Sequence, residues 1–325
     1  MSKKEAPSTS KDKGKKKTRP LEIAPEPKPE TVKWDDIKGL DYHLIGNGTF
    51  SEVFRFVRDN KTLAIKQYKQ YNESLPQWKR EIEILTEFLP HENFIDLLGH
   101  GSNFEAKKRF LIMEYVPMTL SEKLEDKGWV EVGWEPVLKI LQGIASVLDC
   151  LHRYGLVYSD LKPDNMVISE DFRVKMIDFG GAVREGTTFT CTNKHYVSPN
   201  IGPEEVGRAG SSKGGRRRAE PKAGKDEAKK PAKKSRDVYS FGVLMLQLVM
   251  KLESTKMPVK EGSNKGSQHI VQGLDRPPEN IVHKSLSNTG CDTGKVVDLV
   301  RRCTHSRPPT MDEVVRDLEQ LKKKK

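Results

Sequence analysis

The chain has 325 residues, enough for two lobes with separate cores and too few for three independent domains. Its net charge of +11 is unevenly spread: +6 in residues 1–20, +8 in 206–235 and +4 in Lys322–Lys325 leave −7 for the remainder. A globally basic nucleic-acid-binding surface is therefore not implied. Cys150, Cys191, Cys291 and Cys303 form no CxxC or Cys/His cluster, which fits a reduced intracellular compartment without structural zinc. No apolar stretch follows Met1, so no secretory leader is expected. The longest near-continuous apolar run, Val238–Met250, is too short for a bilayer and holds Ser240, Gly242 and Gln247, so it reads as a buried helix.

In chain order, residues 1–33 hold too few bulky apolar groups to offset ordering entropy and read as a disordered basic arm. Tyr42–Ile45 and Val53–Val57 have strand character around a Gly-containing turn. Arg58-Asp59-Asn60-Lys61 reads as a hairpin turn into a further strand, Thr62–Tyr68. Pro76–Leu89 carries helical spacing at Trp78, Ile82, Leu85 and Phe88. Ile95–Gly99 and Arg109–Glu114 complete the strand-rich front. After Pro117 the pattern turns helical: Leu120–Asp126, Pro136–Tyr154, Asp237–Lys251, Gly294–Cys303 and Met311–Lys322. The expected architecture is α+β with two lobes. Residues 34–117 would form a small antiparallel-sheet lobe with one main helix and a hinge, and 118–322 a larger helical lobe. A Gly/Ala/Lys/Arg stretch at about 206–234 reads as a disordered insertion, and 323–325 as a basic tail.

Three segments carry candidate chemistry. Gly46-Asn47-Gly48-Thr49-Phe50-Ser51-Glu52-Val53 lies between two strands. Glycines there let backbone N–H groups approach phosphate oxygens, although a plain hairpin turn also fits. A dinucleotide-binding reading is disfavoured, because a strand and not a helix follows. In Leu63-Ala64-Ile65-Lys66, a lysine in an apolar strand needs an anion or a route to water. Glu81, on the following helix, is the candidate partner; Glu83 projects about 200° away around the helix. Finally, Tyr158-Ser159-Asp160-Leu161-Lys162-Pro163-Asp164-Asn165 is followed by Asp178-Phe179-Gly180, with Asp178 thirteen residues after Asn165.

Asp160-x-Lys162-Pro163-x-Asn165 with Asp178-Phe179-Gly180 resembles the catalytic loop and metal-binding motif of eukaryotic protein kinases. The earlier elements fall in that family's order over roughly Trp34 to Leu321. The resemblance implies a two-lobe protein kinase fold, with ATP and Mg²⁺ as cofactors. It implies that Lys66 holds the nucleotide phosphates and that Glu81 orients Lys66. Asn165 and Asp178 would hold the metal, Asp160 would take the substrate hydroxyl proton, and Lys162 would neutralise the transferring phosphate. It further implies an ATP-binding set of Ile45, Gly46, Asn47, Gly48, Val53, Ala64, Lys66 and Val167, in which Val53, Ala64 and Val167 enclose the adenine, with Met113 as gatekeeper and hinge backbone groups from Glu114 and Val116. Leu85, Leu97, Tyr158 and Phe179 match the apolar stack joining the lobes. Asp237 would anchor the catalytic-loop backbone. Lys162 resembles the Ser/Thr kinases, and Asp237–Gly242 with Arg307–Met311 resembles the tyrosine-kinase-like and receptor-like group.

Departures from the family pattern are informative. Ser159 stands where many kinases have the arginine that receives a phosphorylated activation loop. Activity is therefore expected not to need such phosphorylation, although Thr187, Thr188, Thr190 and Thr192 are available acceptors. Asn200, in Tyr196-Val197-Ser198-Pro199-Asn200, replaces the glutamate that usually pairs with an arginine matching Arg307; either Glu204 or Glu205 substitutes for it or the pair is lost. The basic runs read as solvated linkers, nuclear-import signals or docking sites for acidic protein substrates. They have no aromatic interleaving, which argues against nucleic acid. A soluble cytoplasmic monomer acting on proteins is expected, with a nuclear location open. The alternative is a pseudokinase scaffold that binds nucleotide or partners without turnover.

Overall fold

Strands β1 (Glu30–Thr31), β2 (His43–Asn47), β3 (Ser51–Arg58), β4 (Lys61–Tyr68), β5 (Leu97–Asn103) and β6 (Lys108–Glu114) form one sheet, in the order β1-β5-β6-β4-β3-β2. The computed structural model describes residues 29–88, 90–189, 230–254, 256–257 and 268–322. Asp59 and Asn60 both have positive φ, 50° and 59°, which suits a type I′ turn and closes β3 on β4 with Arg58 opposite Lys61. Helix α1 (Leu75–Glu87) is tied to the sheet by the Trp78 indole, which donates to the Phe110 carbonyl at 3.1 Å.

Register sorts the side chains into two faces. Gly46, Val53, Lys66 and Leu111 lie opposite one another across four strands, with Ala64 opposite Met113 on the same face. Phe54, Ile65 and Ile112 line up on the other face. That second face is also buried. Val32, Ile37, Phe56, Ile65, Phe110 and Ile112 form a separate core, flanked by Trp34, Leu40 and Tyr42. A strand covered on both sides needs no polar alternation, hence the apolar run in β4.

The N-terminal arm is therefore not disordered throughout 1–33. Glu30 pairs with Gly99 and Thr31 with His100 in parallel, and the Val32 N–H donates to the His100 carbonyl at 2.9 Å. Val32 gains burial there, and Gly101 leaves the room: a Cβ on it would lie 2.4 Å from the Val32 carbonyl oxygen. Residues 1–28 lie outside the described residues.

The helical lobe contains α2 (Leu120–Glu125), α3 (Trp134–Arg153), α4 (Lys234–Met250), α5 (Lys284–Asn288), α6 (Thr293–Cys303) and α7 (Met311–Gln320). Between α3 and α4 run the short strands β7 (Leu156–Val157), β8 (Met166–Ile168), β9 (Val174–Met176), β10 (Val183–Arg184), β11 (Thr188–Phe189) and β12 (Lys230–Pro231). A Thr119–Glu122 capping box starts α2 and a Thr310–Glu313 box starts α7. Every residue of α4 from Arg236 to Val249 is buried, as befits a helix that is apolar nearly all round. Among the described residues, no helix is long and apolar enough to cross a membrane. The insertion expected at about 206–234 ends earlier than the composition suggested. Lys230–Pro231 pairs with Thr188–Phe189, and Lys234 opens α4. Backbone pairing, to which lysine composition is indifferent, orders those residues; 206–229 lie outside the described ones.

Candidate active site

Lys66, Glu81 and Asp178 meet beneath the sheet. The Lys66 ammonium donates to both Glu81 oxygens, at 3.0 and 2.7 Å, and to Asp178 Oδ1 at 2.8 Å. Tyr68, two residues along the same face of β4, donates its hydroxyl to Glu81 Oε2 at 2.5 Å. Glu81 is fully buried, and burial pushes its pKa up, with Asp178 adding to this and Lys66 opposing it. Burial likewise disfavours the Lys66 ammonium, but Asp178 and Glu81 reverse this and hold its pKa above the usual lysine value. Asp178 is half-exposed; burial raises its pKa, and Lys66, followed by Lys162, outweighs that and leaves it lowered.

The loop Tyr158–Asn165 is held from below by α4. In the first turn of that helix, Asp237 accepts the backbone N–H of Tyr158 at 2.7 Å and of Ser159 at 2.9 Å. His152 bonds the same carboxylate at 2.9 Å, a contact that nothing in the motifs signals. Ser159 and Asp178 both adopt positive φ, 74° and 61°. Non-glycine residues keep such backbone only where the surroundings over-determine it, commonly at functional sites. Asp160 Oδ2 receives Lys162 at 2.7 Å and the Asn165 amide at 2.9 Å, while the amide also donates to the Asp160 carbonyl at 2.9 Å. The other oxygen, Asp160 Oδ1, is buried and has no hydrogen-bond partner.

Phe179 is fully buried. It stacks on Phe94 at 5.0 Å and meets Tyr158 edge-on at 5.5 Å. With Leu85 and Leu97 these residues share one core that runs between the lobes. Phe94 had no motif to announce it. Ala64, Met113 and Val167 are buried, Val53 and Val116 partly so, and Ile45 is exposed on β2. At the hinge, the Glu114 N–H is already committed to the Asp96 carbonyl at 3.1 Å, so its carbonyl is what remains to offer a ligand. The Glu114 carboxylate pairs with Lys175, which also reaches Asp96 at 3.1 Å. The Gly48 N–H closes the β2–β3 turn on the Ser51 carbonyl at 2.9 Å. The anchor residues Asn200, Glu204 and Glu205, like Thr190 and Thr192, lie outside the described residues.

A buried lysine–glutamate pair lies under a glycine turn and meets Asp178, with Asp160 and Asn165 joined to each other on the neighbouring loop. Residues 41–316 match the protein kinase domain, and the chain belongs to that family. Its relatives are receptor-like kinases in large part. An LRR receptor-like serine/threonine-protein kinase of Oryza sativa subsp. japonica is 28% identical over 86% of this chain and 27% of its own length. A Clostridium perfringens protein named "probable serine/threonine-protein kinase" is 26% identical over 88% of this chain and 39% of its own length. An Arabidopsis thaliana protein named "probable inactive receptor kinase" is 26% identical over 89% of this chain and 42% of its own length. The chain thus spans less than half of each of these three relatives.

Proposed function

We propose that the chain transfers the γ-phosphate of ATP, with Mg²⁺, to serine or threonine hydroxyls of protein substrates. The observation that carries this is the half-tethered carboxylate of Asp160. One oxygen is pinned by Lys162 and Asn165, the side chain keeps 20% of its surface exposed, and the other oxygen, shielded from solvent, has no hydrogen-bond partner, so a small rotation of the carboxylate frees it for a substrate. A carboxylate held in that way accepts a hydrogen bond from an incoming hydroxyl and takes its proton as the new O–P bond forms and the β–γ bridge breaks. Lys162 would then offset charge on the phosphoryl group, and Lys66, oriented by Glu81, would hold the nucleotide phosphates.

The donors also suit the metal. Asp178 and the Asn165 amide oxygen are hard ligands, and the described residues contain no group of three or more His, Cys, Asp or Glu side chains that would form a closed cage. Magnesium keeps waters and phosphate oxygens around it and needs only one or two protein carboxylates. When bound, it would neutralise charge on the phosphates. Gly46 and Gly48 support the nucleotide reading as well. A Cβ on either would meet no protein atom closer than 3.4 Å, so internal packing does not demand glycine, whereas close approach of a ligand does. Val53, Ala64 and Val167 would enclose the adenine, with Ile45 and Asn47 at the mouth, Met113 behind, and the Glu114 carbonyl and Val116 at the hinge.

Labelled ATP with Mg²⁺ and mixed Ser, Thr and Tyr peptides test this reading. Label on Ser or Thr, from protein pretreated with phosphatase, is expected, because Ser159 supplies no phosphate receptor. Absence of transfer while nucleotide still raises the melting temperature would replace this reading with a pseudokinase scaffold. Recruitment of acidic substrates by the basic insertion is tested by deleting 208–226; unchanged preference between acidic and neutral peptides would end that idea.

A further inference from the structure

The segment just before α4 grips the activation segment. The Gly186 N–H donates to the Ala232 carbonyl and the Ala232 N–H to the Thr187 carbonyl, both at 2.8 Å. Lys234 Nζ lies 3.1 Å from Glu185 Oε2, and its own N–H reaches Glu185 Oε1 at 3.4 Å. On the other side, the Glu185 N–H donates to the Gly155 carbonyl at 2.9 Å, and β10 pairs with β7, the strand that leads into the catalytic loop. Val157, Val183 and Ala232, one from each layer, form a small buried core of their own. Asp237 sits three residues after Lys234, so it lies one turn on along nearly the same side of α4, and it holds the Tyr158 and Ser159 amides.

We propose that residues 230–234 are a built-in clamp that positions the catalytic loop through the activation segment, with Lys234 and Glu185 as positioning residues. One helical turn then secures both loops, Lys234 by an ion pair and Asp237 by backbone acceptance. In a chain with Ser159 beside Asp160, a permanent carboxylate–ammonium pair supplies the tie that a phosphate and arginine would otherwise make. The inference rests on the catalytic reading above for its effect on turnover, but not for the clamp itself.

The test uses the full chain with Lys234→Glu, Glu185→Lys and the double exchange. Both side chains are partly exposed, 35% and 45%, so the pair is modest. Each single variant is expected to lower kcat on a protein substrate about two- to tenfold with the KM for ATP unchanged. Hydrogen exchange in peptides covering 183–187 should accelerate in each, and the double exchange should restore both readouts. Faster exchange with unchanged kcat overturns the positioning role, and unchanged exchange overturns the clamp. If the wild type transfers no phosphate, the proposed activity fails separately, and exchange alone decides whether the clamp exists.

Discussion

Replacing Lys66 by methionine separates what the buried pair does for stability from what it does for chemistry. Glu81 is 0% exposed and takes two bonds from Lys66 and one from Tyr68. Without Lys66, only the Tyr68 hydroxyl faces that carboxylate, and Asp178 is left as an uncompensated neighbour. Breaking a buried pair from one side destabilises by about 3–5 kcal/mol. Lys66→Met with Glu81→Met removes both charges. Asp178, half-exposed, can turn to water, and the main residue is a buried Tyr68 hydroxyl without a partner, worth about 1–3 kcal/mol. Net of improved apolar packing, the double variant should lie within about 2 kcal/mol of wild type. Urea unfolding at pH 7 measures all three proteins, and labelled ATP measures transfer. Both variants should be inactive despite their different stabilities. A single variant that loses under about 1 kcal/mol, or a double that is as unstable as the single, would show that the buried charges are not coupled in this way.

Other consequences follow from the same geometry. Tyr68→Phe should cost about 1–2 kcal/mol in urea unfolding and lower kcat/KM for ATP about three- to tenfold, since Glu81 loses one of its orienting bonds. Asp178→Asn should abolish transfer while the unfolding midpoint barely moves, because Glu81 still neutralises Lys66; turnover above roughly 1% of wild type would remove Asp178 from the metal site. Lys251 ends α4 with φ 56°, buried, its ammonium 3.8 Å from the Trp129 ring centre and without a hydrogen-bond partner. Burial lowers its pKa from 10.5 to about 7. The unfolded chain therefore binds more protons between those values, and stability should rise with pH from 7 toward 10. Lys251→Met should remove about 2 kcal/mol of that rise between pH 7 and 9, and parallel profiles for the two proteins would overturn it. Gly101→Ala should detach the N-terminal strand, lowering stability by about 1–3 kcal/mol and speeding exchange at residues 30–32.

Chemistry that needs particular residue types at close sequence spacing was readable from one dimension. Asp160, Lys162 and Asn165 sit on one turn, so their spacing alone brings them together, and Lys66 in an apolar strand demanded an anion that α1 could offer through Glu81. The Arg58–Lys61 turn was equally local, since Asp59 and Asn60 tolerate positive φ. Contacts that depend on how distant elements register were not readable. Lys66 meets Asp178 across 112 positions, Tyr68 reaches Glu81 only because strand and helix face each other, and His152 finds Asp237 from a different helix. Composition misled at residues 30–33 and 230–234. Residues 30–33 and 230–234 look like solvated linker, yet their backbones pair with partners that have edges to offer, and one or two apolar side chains, Val32 and Ala232, fill gaps already shaped by Gly101 and by Val157 with Val183. Residue order and spacing were enough for the two-lobe pattern and for the pairing of Lys66 with Glu81. Folding in three dimensions was needed to bring Asp178 to Lys66, Tyr68 to Glu81 and His152 to Asp237, because backbone pairing and burial depend on neighbours that a linear pattern does not contain.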